Sequence, residues 1–226
     1  MSKTPFVCLA LILCFFCLAT HLPAAQAPQQ AQEVLEYWFG PLQTADDYPE
    51  GKSKLWFGGG NAIDNDIRNC FGKLVEAAIR NELDAWKETP KGRLALLILL
   101  DQFTRNIYRG SPEAFAYDGI AQKLVLEGIA QGQDQSLLPV ERVFFYLPLE
   151  HSEDMGIQKL SVEKFHSVIS LVPAAQVSHF ISFKDYAQRH YDIIAQFGRY
   201  PHRNAILGRK STPEEIEFLK GPNSSF

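Results

Sequence analysis

Apolar residues recur at spacings of three and four along most of the chain, the period of a helix buried on one face. Residues 29–39 read as a first amphipathic helix closed by Gly40-Pro41. Residues 42–60 read as a loop carrying Asp46-Asp47 and a Gly58-Gly59-Gly60 run. From about Ala62 to Trp86, the positions Ile63, Ile67, Phe71, Leu74, Val75, Ala78, Ile79 and Leu83 mark one helical face. Thr89-Pro90 places a capping side chain before Pro at the first helical position and predicts a helix to about Tyr108. Ser111-Pro112-Glu113 repeats the device and predicts another to about Ala130, with Ser111 as its cap. Leu138-Pro139 opens the next, to around Leu149, with Pro148 bending or ending it. Two more follow over 154–171 and 175–197, and Thr212-Pro213-Glu214-Glu215 is a capping box for a short last one. No segment shows strand alternation between hairpin turns, and short connections make neighbouring helices antiparallel. The expected fold is all-α, a single domain of about eight antiparallel-packed helices. Helix pairs of this length suit a solenoid-like stack, without an exact sequence repeat.

The N-terminus breaks the pattern. Phe6 to Ala19 is an unbroken apolar run that follows Lys3 and precedes Pro23. A bilayer span needs about 20 apolar residues, so this shorter run reads as the core of a secretory signal, with Ala25-Gln26-Ala27 as its cleavage pattern. Residues 1–27 are therefore expected to be a signal peptide and 28–226 the helical domain, exported to the periplasm. An uncleaved inner-membrane anchor is the alternative, and contact with a membrane is expected only in that case. Neither Cys14 nor Cys17 follows the small residue that a lipoprotein cleavage site requires.

The 226 residues carry 22 Lys+Arg against 26 Asp+Glu, and the first 27 contain one of the basic residues and none of the acids. A net acidic domain is a poor partner for nucleic acid, whose phosphates need basic surface. Three of the four cysteines fall before residue 28, so Cys70 has no partner for a disulfide and reads as a packed thiol.

Leu94 to Leu100 is apolar on every face, the mark of a helix surrounded by neighbours. Asp101, Arg105 and Arg109 follow at spacings of four, beside a second polar row of Gln102 and Asn106. Either Asp101 and Arg105 form a structural ion pair at the rim of the core, or the stripe faces a ligand. Residues 193–213 hold Arg199, His202, Arg203, Arg209 and Lys210 with no acid. Tyr200-Pro201 there looks like the start of a short helix flanked by guanidiniums, a physically good anion site. The alternative is that these arginines pair with acids on other helices. His190 lies on the apolar stripe Phe183, Tyr186, Ile193, Ile194 and Phe197, as a core histidine or a catalytic one. In His151-Ser152-Glu153-Asp154, Ser152 caps the next helix, or His151 and Glu153 form an acid–base pair. The chain has no P-loop, dinucleotide fingerprint, Gly-x-Ser-x-Gly elbow, His-Glu-x-x-His or paired Cys-x-x-Cys. Glu163-x-x-His166 stands alone where a di-iron bundle needs two such pairs, and neither metal nor cofactor is expected.

Several stretches together carry a family resemblance: Val34 to Gly40 (VLEYWFG), Leu99 to Gly110 (LLDQFTRNIYRG), Pro139-Val140-Glu141-Arg142, Pro148 to Glu153 (PLEHSE), His190 to Ile194, and Phe197 to Asn204 running on to Ser211-Thr212-Pro213-Glu214-Glu215. Over about residues 33–220 the chain resembles the bacterial family catalogued as domain of unknown function 924. The resemblance implies an all-helical fold similar to tetratricopeptide-repeat proteins and brings no established activity. Thr104 stands where the family usually has Pro, and Tyr191 where it usually has Arg.

Three functions follow from the residues. The leading one is a binding module in which Asp101, Arg105, His151, Glu153, His190, Arg199, His202, Arg203 and Asn204 line one polar pocket for a small anionic molecule or peptide. The second is a hydrolase using His151 or His190 as base, oriented by Glu153 or Asp101. The third is a scaffold for a protein partner, its polar residues serving as ties between helices.

Overall fold

A computed structural model describes residues 27–225; the expected signal segment, save Ala27, lies outside the described residues. Among the described residues every regular element is helical, and none is long and apolar enough to cross a membrane. The elements are α1 (Gln29–Phe39), α2 (Asn61–Ile79), α3 (Pro90–Leu97), α4 (Thr104–Ile107), α5 (Asp118–Ala130), α6 (Pro139–Glu150), α7 (Met155–Ile169), α8 (Val177–Phe197) and α9 (Pro213–Phe218). A π-helical turn, Ile98–Phe103, joins α3 to α4 without a break, so the two form one helical path. Counted so, the described residues form eight α-helices in a single domain, as the periodicity predicts.

The core gathers on α3. Leu94 to Leu100 is buried throughout, and α1, α5, α6 and the turn before α3 pack around it. Aromatic rings fill the space beside it. Trp38 lies edge-on to Phe103 at 5.5 Å and to Phe144 at 5.6 Å, and Trp56 reaches Phe144 at 4.7 Å. Trp56 belongs to a π turn, Lys54–Gly58, inside the expected loop, and its indole N–H donates to the Trp38 carbonyl at 3.0 Å. A second, smaller core of Ile193, Ile194 and Tyr200 takes in Met155, Phe197 and Phe218.

The sequence reading and the structure differ locally in three places. α2 stops at Ile79, because Asn81 enters the left-handed region at φ 59°; the chain resumes as a 3₁₀ turn, Asp84–Glu88, that buries Trp86. Ser111 does not open a helix to Ala130: Pro112–Ala114 makes a single 3₁₀ turn and α5 begins at Asp118. α6 closes at Glu150, about where expected, with Pro148 inside its last turn. Asp154, rather than Ser152, caps α7, its carboxylate accepting from the Ile157 N–H at 2.9 Å. Cys70 is exposed rather than packed.

The caps at α3 and α9 form as predicted. Thr89 accepts from the Gly92 N–H at 3.1 Å. Thr212 and Glu215 satisfy each other's backbone N–H at 3.2 and 2.7 Å.

Candidate functional site

The helical path through α3 ends its apolar run at Asp101, inside the π turn. Such turns re-aim side chains and occur disproportionately at functional sites. Here the turn buries Asp101 completely. Oδ2 accepts from the Gln102 amide at 2.6 Å, and Oδ1 lies 2.6 Å from Nδ1 of His151, at the end of α6. Thr104 supports the turn, its hydroxyl donating to the carbonyls of Leu100 at 2.8 Å and Asp101 at 3.2 Å. Burial pushes the Asp101 carboxyl up, but His151, Arg105 and the two hydrogen bonds outweigh it and hold the group well below the usual carboxylate range. Asp101 is therefore an anion, and His151 donates to it from Nδ1, leaving the lone pair on Nε2.

Arg105, one turn beyond Asp101, approaches that carboxylate only to 3.6 Å. Its main partner is Asp118 at the start of α5, bound bidentately at 2.9 and 3.0 Å. Arg203 reaches the same Asp118 from the far end of the chain, at 3.1 Å, and donates to the His151 carbonyl at 3.2 Å. Two aromatic faces hold Arg203 between them, Phe115 at 4.6 Å and Tyr200 at 4.5 Å. The turn Pro201–Arg203 carries it there. Burial and the neighbouring Arg105 charge lower the Arg203 pKa.

Behind this pair lie Glu150 and His190. The Glu150 carboxyl is buried in the otherwise apolar last turns of α6. Oε2 stands 3.4 Å from Nδ1 of His190, while Oε1 has no hydrogen-bond partner among the described residues. Burial, reinforced by the Asp101 charge, pushes this carboxyl well above its ordinary range. His190 directs Nδ1 at the Tyr186 carbonyl at 2.8 Å, and burial, with His151 beside it, pushes it down to about 3. Its ring lies 6.0 Å from that of His151. His202, against Tyr200 at 5.5 Å, is pushed down to about 4 by burial and by Arg203. Burial also lowers His151, and Arg105 adds to this against the pull of Asp101.

Of the nine expected site residues, the structure brings together Asp101, Arg105, His151, His190, His202 and Arg203. The other three pair elsewhere. Glu153 accepts three hydrogen bonds from the Arg209 guanidinium, at 2.8, 3.0 and 3.0 Å, and one from the Tyr200 N–H at 2.8 Å, so it is not the acid–base partner of His151. Arg199 grips Glu215 at 2.6 and 2.8 Å, and Asn204 donates to Ser211 and to Glu215, both at 3.1 Å. These pairs fasten residues 198–215 beside the cluster. Arg109, third in the stripe, leaves it for Asp64 at 2.7 and 2.9 Å.

Sequence reasoning missed Glu150 and Asp118. Glu150 carries a legible signal, a lone acid closing an apolar helix next to His151. Asp118 reads as an ordinary first-turn acid, and nothing along the chain marks its two arginines.

The cluster is nearly closed: Arg105 is 21% exposed, His151 12% and Asp118 11% at their side chains, and His202 is partly exposed as well. Among the described residues no group of three or more metal-ligating side chains is placed to hold a metal ion. A surface groove of about 720 Å³, lined by Leu35, Phe39, Leu42, Pro90, Lys91 and Glu141 among others, includes none of the nine residues.

The chain is similar to a solved protein of unknown function from Agrobacterium tumefaciens, with 36% identity and a TM-score of 0.70 over 85% of this chain and 98% of that one. No curated protein matches it. The family model described as "Bacterial protein of unknown function (DUF924)" matches residues 34–223. The chain belongs to this bacterial family, DUF924.

Proposed function

We propose that the cluster binds a small anionic ligand, a carboxylate or phosphate compound or the carboxyl end of a peptide, at the edge formed by Arg105, His151 and Arg203. One observation carries this reading. Two guanidiniums from distant parts of the chain, Arg105 partly exposed and Arg203 buried, converge on the single carboxylate of Asp118, close to the His151 imidazole. Planar bidentate donors in a partly desolvated setting are what carboxylate and phosphate recognition uses.

Thermal unfolding against a panel of phosphates, carboxylates and short peptides tests the proposal. A ligand at about 100 times its dissociation constant adds roughly 2.7 kcal/mol, a rise on the order of 5–10 °C for a domain of this size. One chemical class is expected to give that rise, and Arg105→Gln to lose it. Arg203→Ala is the poorer probe, since removing a buried charge partner costs about 3–5 kcal/mol in stability alone. No shift with any anion would contradict the proposal and return the polar residues to the role of ties between helices.

A second reading rests on the 2.6 Å contact between Asp101 and His151. A carboxylate that fixes the tautomer of a neutral imidazole makes Nε2 a general base, able to activate water against an ester held by the arginines. Turnover of carboxylic or phosphate esters, lost in Asp101→Asn with the fold intact, is the expected result. Activity unaffected by that substitution would dismiss the dyad.

A further inference from the structure

We infer that the site takes up its anion together with one proton, lodged on Nε2 of His151. The inference rests on the proposed binding role and concerns what accompanies the ligand.

Its basis is the balance of charge around His151. From the α3 path come Asp101 and Arg105, from the start of α5 Asp118, and from the turn after α8 Arg203. Two guanidiniums face these two carboxylates, and burial pushes the nearby Glu150 carboxyl toward its neutral form, so the cluster is already balanced. Glu150 on α6, His190 on α8, and Tyr200 and His202 before Arg203 complete the surrounding titratable groups. An added anion is then uncompensated unless a proton comes with it, since unmatched charge in a largely buried setting is costly.

His151 is the group built to accept that proton. A carboxylate at 2.6 Å from Nδ1 stabilises its imidazolium and leaves Nε2 to take the proton, and its side chain is 12% exposed beside the partly exposed Arg105. His190 is deeper and turns its Nδ1 to a carbonyl, and His202 stands beside the fixed positive charge of Arg203. Burial lowers the His151 pKa and leaves the imidazole neutral near pH 7, able to gain a proton on binding.

The experiment measures the affinity of sulfate and of trifluoroacetate, neither of which titrates between about pH 5 and pH 8, by ligand-induced thermal stabilisation across that range. Uptake of one proton weakens binding about tenfold for each unit rise in pH above the free His151 pKa. A parallel titration of the imidazole resonances locates the proton: on saturation with the anion, the His151 pKa moves up and those of His190 and His202 stay low. In His151→Asn the amide still donates to Asp101 but takes no proton, so residual binding becomes independent of pH. Binding with no pH dependence in the native protein, or a proton appearing on another histidine, overturns the inference while leaving anion binding in place. Failure of every anion to bind overturns both.

Discussion

Glu150 is the residue with the most unusual surroundings. Its carboxyl occupies an apolar helix end with one oxygen lacking a hydrogen-bond partner among the described residues, and its pKa stands well above the usual range. A carboxyl raised by burial is more at home protonated in the folded state. The stability linked to it is fully present below the unfolded pKa, near 4.3, and is lost as the pH climbs toward the folded value. Glu150→Gln keeps the shape and removes that loss. Denaturant unfolding is expected to show the variant gaining on the native protein as pH rises from about 4 to 8, with little difference at the acid end. A constant offset at every pH would mean that the carboxyl does not change its ionisation on folding. Asp101 has the opposite sign, since it is held low and its contribution fades as pH falls through the acid range. At this scale the sequence exposes residue types well. Asp101, Arg105, His151 and Arg203 stand out as polar residues in motifs that build no core. Their partners do not, because Asp118 becomes special only when Arg105 and Arg203 arrive from other elements.

At the scale of elements, hydrophobic period predicts where helices lie better than where they change. The apolar pattern of α2 continues through Leu83 to Trp86 because both still pack on the core, although the backbone has already turned at Asn81. Burial thus outlasts the helix, and a reading of period alone overshoots. The π turn is silent for a related reason: seven apolar residues look the same whatever the hydrogen-bond step. Gly92 shows a constraint of another kind. A Cβ built there meets the Trp86 carbonyl oxygen at 2.2 Å and Thr89 Oγ1 at 2.8 Å. The first contact is with backbone and cannot be relieved by a rotamer change, and the second disturbs the cap. Gly92→Ala is expected to destabilise the domain by about 1–3 kcal/mol, with no effect on the Asp101–His151 pair. Chemical denaturation checks the magnitude. A neutral or stabilising outcome would show that the 3₁₀ turn before α3 yields more readily than its packing suggests.

At the scale of the molecule, the all-helical domain follows from local pattern, and the site follows from its assembly. Residues 198–215 cross the ends of α6 and α7 and are fastened by Arg199–Glu215, Arg209–Glu153 and Arg203–Asp118. This crossing sets Arg203 against Asp118 and encloses the histidines, and no local periodicity announces it. It also separates two kinds of arginine that look alike in sequence: Arg199 and Arg209 hold the segment down, while Arg105 and Arg203 meet at Asp118. The most direct test of the central claim is a crystal of the protein soaked in selenate, with its anomalous scattering used to locate the anion. A selenium peak within hydrogen-bond reach of the Arg105 and Arg203 guanidiniums and of His151 Nε2 is the predicted result. Selenate at other surface positions, with none at this edge, would contradict the account and leave the cluster as a tie between helices.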